Sequence, residues 1–194
     1  MKQLVLAAML MAVSGTAMSA EIKEKGAYIG GAVGASEYDS DDITILENLG
    51  YSIDDSDVAV QLWGGYRFLR WFAVEGKLAH LGEYSATDGD EVIDLEAAAI
   101  TANAVFIAPF GGSGWDFYGQ VGLGSVSWEA KSSEGGKLDG NELVGTAGIG
   151  IRWTIVPSFT VSLGLDAYAW ESDEESDNVD ESVAITKLGL QYNF

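Results

Sequence analysis

Val58-Ala59-Val60-Gln61-Leu62-Trp63-Gly64-Gly65-Tyr66-Arg67-Phe68 sorts its residues by parity. Val58, Val60, Leu62, Gly64, Tyr66 and Phe68 fall on one side, all of them aromatic, aliphatic or glycine. Ala59, Gln61, Trp63, Gly65 and Arg67 fall on the other, with every strongly polar group of the stretch. A repeat of two is the repeat of a β-strand, so the stretch predicts a strand with one apolar face and one mixed face.

The same reading extends along the chain. Phe72, Val74, Gly76, Leu78 and His80 alternate with Ala73, Glu75, Lys77 and Ala79. Leu143, Gly145, Ala147, Ile149, Ile151 and Trp153 alternate with Glu142, Val144, Thr146, Gly148, Gly150 and Arg152. Phe159 to Ala167 and Leu188 to Phe194 repeat the pattern, and residues 27–36 and 115–128 are glycine-rich versions of it. Residues 93–107 contain Ala97-Ala98-Ala99, which would also suit a helix; context makes them a strand, with its two faces undecided. The total is eight strands. Residues 37–57, 83–92, 129–140 and 171–181 read as long polar connections, whereas 69–71, 108–114 and 154–158 are shorter. Long and short connections alternate when an even number of antiparallel strands runs up and down.

Composition narrows the function. The 194 residues include no cysteine, 25 glycines and 2 prolines, and 10 basic against 30 acidic residues give a formal charge of −20. Without cysteine there is no disulfide, thiolate metal site or cysteine nucleophile. So acidic a chain is no nucleic-acid binder, since phosphate requires clustered Lys and Arg. Lys2, the apolar run Leu4–Val13 and the small residues after it have the plan of a secretory signal peptide over residues 1–20, cleaved after Ala20 or Ala17. Residues 21–194 are then one exported domain. No later segment has about 18 consecutive apolar residues, so the chain can cross a membrane only as a closed barrel. The fold class expected is an all-β, eight-stranded antiparallel up-and-down transmembrane β-barrel.

Two polarities run along its axis. Tyr66, Phe68, Trp71, Phe72, Phe106, Phe110, Trp115, Phe117, Trp153, Phe159, Tyr192 and Phe194 fall toward the short-turn end. Tyr38, Tyr84, Trp128, Tyr168 and Trp170 fall toward the other end, which predicts two aromatic girdles at the lipid headgroups. The four long connections carry 22 of the 30 acidic residues and only Lys131 and Lys137 as bases.

The chain ends on Lys187-x-Gly189-x-x-Tyr192-x-Phe194. With Tyr28-Ile29-Gly30-Gly31, Gly64-Gly65-Tyr66-Arg67-Phe68 and Ala73-Val74-Glu75-Gly76, it resembles the small OmpA/OmpX-like outer-membrane β-barrel family. The resemblance covers about residues 26–194. It implies a monomeric barrel in the cell outer membrane, surrounded by membrane lipid and lipopolysaccharide. It also implies insertion by the barrel-assembly machinery, with Lys187, Gly189, Tyr192 and Phe194 as the signal. The strands run to Phe194, so the peptidoglycan-binding domain that OmpA-like proteins carry after the barrel is not expected.

Parity sends Gln61, Arg67, Glu75, Lys77, Gln120, Glu142, Arg152, Asp166, Lys187 and Gln191 into the lumen. Eight strands leave room only for side chains, and buried charges must pair. A lumen ion-pair network of Arg67, Glu75, Lys77, Arg152, Asp166 and Lys187 is therefore expected, with a narrow gated solute path as the sharper alternative. The single histidine, His80, faces outward and is followed by Leu81 and Gly82 rather than by the His-x-Ser pair of lipid-A deacylases. A catalytic histidine needs a nucleophile and an orienting acid within reach, so no catalytic residue, enzyme activity or cofactor is expected. Asp39, Asp41 and Asp42, Asp54, Asp55 and Asp57, and Asp173, Glu174, Glu175 and Asp177 follow no EF-hand spacing. No defined metal site is expected, only a solvated acidic surface with diffuse Ca²⁺ or Mg²⁺ bridging to lipopolysaccharide phosphates as the weaker idea. The reading is a structural or surface-interaction barrel; a small-solute pore and an adhesin-like surface protein are its rivals.

Overall fold

Among the described residues nine strands form in chain order: β1 (Gly26–Ser40), β2 (Ser52–Asp54), β3 (Ser56–Leu69), β4 (Phe72–Asp88), β5 (Glu91–Phe110), β6 (Trp115–Ser132), β7 (Lys137–Val156), β8 (Phe159–Glu174) and β9 (Asp177–Asn193). They belong to a computed structural model that describes residues 25–40, 52–54, 56–88, 91–110, 114–132, 137–174 and 177–194. The expected signal peptide and much of the first long connection, with Asp41, Asp42 and Asp55, lie outside those residues. So does Glu175. Strands β1 and β3 to β9 each pair antiparallel with their neighbours in sequence, and β1 also pairs with β9 from Tyr28↔Asn193 to Ser40↔Glu181. The sheet therefore closes into an eight-stranded barrel with no free edge in lipid. Strand β2 is additional: it pairs Ser52–Asp54 with Ser85–Thr87 of β4, within what the sequence reads as a connection.

The described residues of the other three long connections are strand. Pairing continues to Asp88↔Glu91, Lys131↔Lys137 and Glu174↔Asp177. Polarity keeps these segments out of lipid but does not stop a ladder, whose backbone groups satisfy each other whatever the side chains. Thr87, Val92, Ile93 and Val179 are good strand formers besides. Residues 93–107 are a strand, and their faces are settled. Ala97, Ala99, Thr101, Asn103, Val105 and Ile107 turn inward; Ala98, Ile100, Ala102 and Phe106 turn outward. Alanine on both sides hid this parity.

The outer wall is the apolar face of each strand, with Ile29, Val33, Leu62, Leu78, Ile100, Leu123, Ile149, Leu165 and Leu188 exposed. One aromatic girdle is present at the short-turn end. Phe72 meets Phe106 at 5.6 Å, Trp115 stacks on Trp153 at 5.4 Å and Phe159 meets Tyr192 at 5.2 Å between ring centroids. The expected second girdle is corrected. Tyr168 and Trp170 are buried inside the barrel and Trp128 packs against the same inner cluster, because they share parity with Asp166 and Val126 rather than with the lipid-facing residues. The side chains of Tyr38 and Tyr84 lie outside the described residues.

Inside, glycine is what admits large rings. A Cβ on Gly30 or Gly189 would run into the Trp63 indole, and one on Gly150 or Gly164 into Tyr118. Small residues opposite large ones fill a narrow barrel without voids.

The seam is closed by the chain's last residues. The Phe194 N–H donates to the Ala27 carbonyl at 3.0 Å, and the Phe194 ring packs on Tyr192 at 5.0 Å. Deleting Phe194 is expected to lower severalfold the heat-modifiable, folded barrel recovered from membranes. Wild-type recovery would show that the terminal ring is dispensable for closure.

Candidate functional site

The barrel interior is layered. Toward the long-connection end it is apolar: Leu81, Val126, Val144, Tyr168, Trp170, Val183 and Ile185 are buried together, floored by Ala59, Ala79, Ala97 and Ala99. These come from β3 to β9, so the layer spans the cross-section rather than lining one wall.

Below it lies a charged layer. Asp166 on β8 accepts hydrogen bonds at one oxygen from Lys77 on β4, at 2.8 Å, and from Lys187 on β9. All three side chains are at most 4% exposed. Lys187 also donates to Gln61 Oε1 at 2.9 Å, and Gln61 Nε2 donates to the Tyr168 hydroxyl at 3.1 Å. This chain ties the charged layer to the apolar one. Alongside, Thr146 donates to Asn103 at 2.7 Å and Asn103 to Thr101 at 2.9 Å. Gly148 leaves the space that the Asp166 carboxylate and Gln120 occupy.

The short-turn end carries a second polar set. The Tyr28 hydroxyl donates to Glu75 at 2.9 Å. The Arg152 guanidinium lies over the Tyr118 ring, 4.8 Å from its centroid. Asp116 is buried directly opposite Arg152 in the β6–β7 register, and Arg67 is buried at the same end. Trp63 Nε1 donates to Gln191 at 3.3 Å, Gln191 to Asn193 at 2.7 Å, and Asn193 to Thr160 at 3.0 Å. Burying charge is costly unless partners compensate, so such layers hold one arrangement of strands.

All six residues expected in the lumen network are buried there: Arg67, Glu75, Lys77, Arg152, Asp166 and Lys187. Lys77–Asp166 and Lys187–Asp166 are ion pairs inside the barrel. Glu75 meets a tyrosine hydroxyl and Arg152 a tyrosine face. The polar lumen read from the sequence is thus one part of the interior, capped by the apolar layer. Asp116, Tyr28, Trp63, Tyr118, Tyr168, Asn103 and Thr146 join these contacts without being expected in the lumen network from the sequence. For Asp116 the signal was available, since it shares parity with Gln120. Glu142 is half-buried near the rim. In the terminal signature, Lys187 and Gly189 face the lumen while Tyr192 and Phe194 join the aromatic girdle.

His80 faces outward, as its parity implies, with Nδ1 3.9 Å from Glu96 Oε1. Across the outer wall beyond it, Glu83, Glu96, Glu129 and Asp139 stand opposite one another on β4, β5, β6 and β7. Lys131 hydrogen-bonds to Glu129, which raises the ammonium's pKa above its ordinary value.

The family model described as "Outer membrane protein beta-barrel domain" matches residues 5–194. Among solved structures, neisserial surface protein A superposes with a TM-score of 0.64 at 14% identity, over 89% of this chain and 99% of that one. The Yersinia pestis attachment invasion locus protein Ail, in complex with the heparin analogue sucrose octasulfate, gives 0.58 at 20% identity, over 89% and 100%. The N-terminal β-barrel domain of Pseudomonas aeruginosa OprF gives 0.53 at 15% identity, over 89% and 100%. At these identities the likeness is one of fold. No curated protein matches the sequence.

Proposed function

The chain belongs to the outer membrane protein β-barrel domain family and is an outer-membrane protein, and on that premise we propose that it is a closed, non-enzymatic barrel whose role is structural or lies in contacts made at its acidic end. The observation that carries this reading is the apolar layer of Leu81, Val126, Val144, Tyr168, Trp170, Val183 and Ile185 set over the Lys77–Asp166–Lys187 cluster. An ion entering from the long-connection end would have to shed most of its water against aliphatic and aromatic side chains, where the Tyr168 hydroxyl is already engaged by Gln61. A polar track confined to the other half leads nowhere. This weighs against the small-solute pore. The purified barrel in planar bilayers is accordingly expected to show no steady conductance. Sustained single channels in the wild type would overturn the closed reading.

Surface contact is the remaining reading, and charge constrains the partner. Ail was solved with a sulfated polyanion. The long-connection end here carries 22 of the 30 acidic residues and two lysines, so a polyanion would be repelled and a cationic segment attracted. Barrel-bearing vesicles are expected to bind a cationic polymer in a salt-sensitive way and heparin not at all; the reverse preference would defeat it.

A further inference from the structure

His80 and Glu83 on β4 and Glu96 on β5 converge on the outer wall. One ligating atom from each lies within 4.8 Å of the others. The convergence depends on an irregularity of β4. Strict alternation from an outward His80 would turn residue 83 inward. Instead β4 carries an extra residue between the pairs His80↔Ala98 and Gly82↔Ala97. Leu81 turns into the core, fully buried, and Glu83 emerges on the same face as His80, directly opposite Glu96. A bulge re-aims a side chain in this way. The Glu83 N–H donates to Asp57 Oδ2 at 2.7 Å, which anchors the bulged segment. Two carboxylates opposite one another on paired strands repel, and the neighbouring cation, Lys131, is engaged with Glu129.

We propose that His80, Glu83 and Glu96 form a divalent metal site of the Zn²⁺ class on the outer wall, just beyond the lipid-facing band. The donor set selects the ion: an imidazole nitrogen with two carboxylates suits Zn²⁺, whereas Mg²⁺ and Ca²⁺ take oxygen ligands. At ligand distances of about 2.0–2.2 Å, tetrahedral donors stand about 3.4 Å apart. The widest separation must therefore close by about 1.4 Å, which rotation of these solvent-accessible side chains supplies. Three protein ligands leave a fourth position to water. The bound charge also relieves the Glu83–Glu96 repulsion. Sequence reading could not assemble this set, because Glu96 comes from another strand and the bulge is invisible to parity.

The test is calorimetric titration of ZnCl₂ into the folded mature barrel in micelles, with millimolar Mg²⁺ present to occupy the diffuse acidic surface. One Zn²⁺ per barrel is expected. His80→Ala and Glu96→Gln should each weaken it about tenfold or more, while Asp139→Asn, in the same row but outside the donor set, should change it less than about threefold. Co²⁺ in place of Zn²⁺ should give a visible d–d band that His80→Ala abolishes. Heat-modifiable migration checks folding, with His80→Gln as the milder variant. Loss of Zn²⁺ binding in Mg²⁺, or equal binding by wild type and His80→Ala, would reduce the site to unspecific acidic attraction and overturn the proposal.

Discussion

Asp166→Ala is expected to destabilise the folded barrel by about 3–5 kcal/mol, measured by urea unfolding in lipid vesicles. Asp166 is 1% exposed and is the shared anion of Lys77 and Lys187. Its removal leaves two ammonium groups buried side by side, with Gln61 Oε1 as the acceptor still bonded to Lys187. Desolvation stays and the attraction that offset it is gone, so the loss exceeds that of one hydrogen bond. The opposite substitution sharpens the test. Lys77→Met leaves a one-to-one pair, Lys187 with Asp166, and should cost far less than Asp166→Ala. Replacing all three by apolar residues of similar volume should recover much of the loss, since buried ion clusters are often no better than well-packed hydrocarbon. If Lys77→Met proves as damaging as Asp166→Ala, the cluster is not a shared-anion arrangement.

Ile149→Arg is expected to cost about 2–4 kcal/mol on the lipid face. Ile149 is 66% exposed on the outer wall of β7, beside Gly119 of β6 and Leu165 of β8. Most of its side chain faces outward, so a guanidinium there enters hydrocarbon directly. Depth provides the control. Leu143, on the same face of β7, stands nearer the acidic rim, two residues from Asn141. Leu143→Arg should cost no more than about 1 kcal/mol, because the penalty fades toward the interface. Equal unfolding free energies for wild type and Ile149→Arg would mean that the inner and outer faces are exchanged.

The second prediction rests on parity and the first on parity together with a contact between strands; parity is legible in the sequence. In β3, β4, β7, β8 and β9 the lipid-facing set is fixed by side-chain alternation alone, a property of each strand taken by itself. The same holds for the inward placement of Arg67, Glu75, Lys77, Arg152, Asp166 and Lys187. Closure is legible too, because an exported chain with no helical span must leave no open edge in lipid. Trp128, Tyr168 and Trp170 stand at the height of a girdle, but height does not fix the face: Tyr168 and Trp170 share the inward face of Asp166.

The sequence by itself thus determined an eight-stranded membrane barrel, its faces where apolar and polar residues alternate, and an acidic end opposite an aromatic one. Tertiary structure alone decided that Asp166 takes two lysines while Glu75 takes Tyr28, that an apolar layer caps the charged one, that the polar connections continue as paired strands, and that a bulge at Leu81 brings Glu83 beside His80 and Glu96. The physical reason is that alternation is local, whereas these contacts depend on register. Each strand's offset from its neighbours, accumulated around a closed barrel, sets which side chains share a level, and one extra residue in one strand shifts that correspondence for everything beyond it.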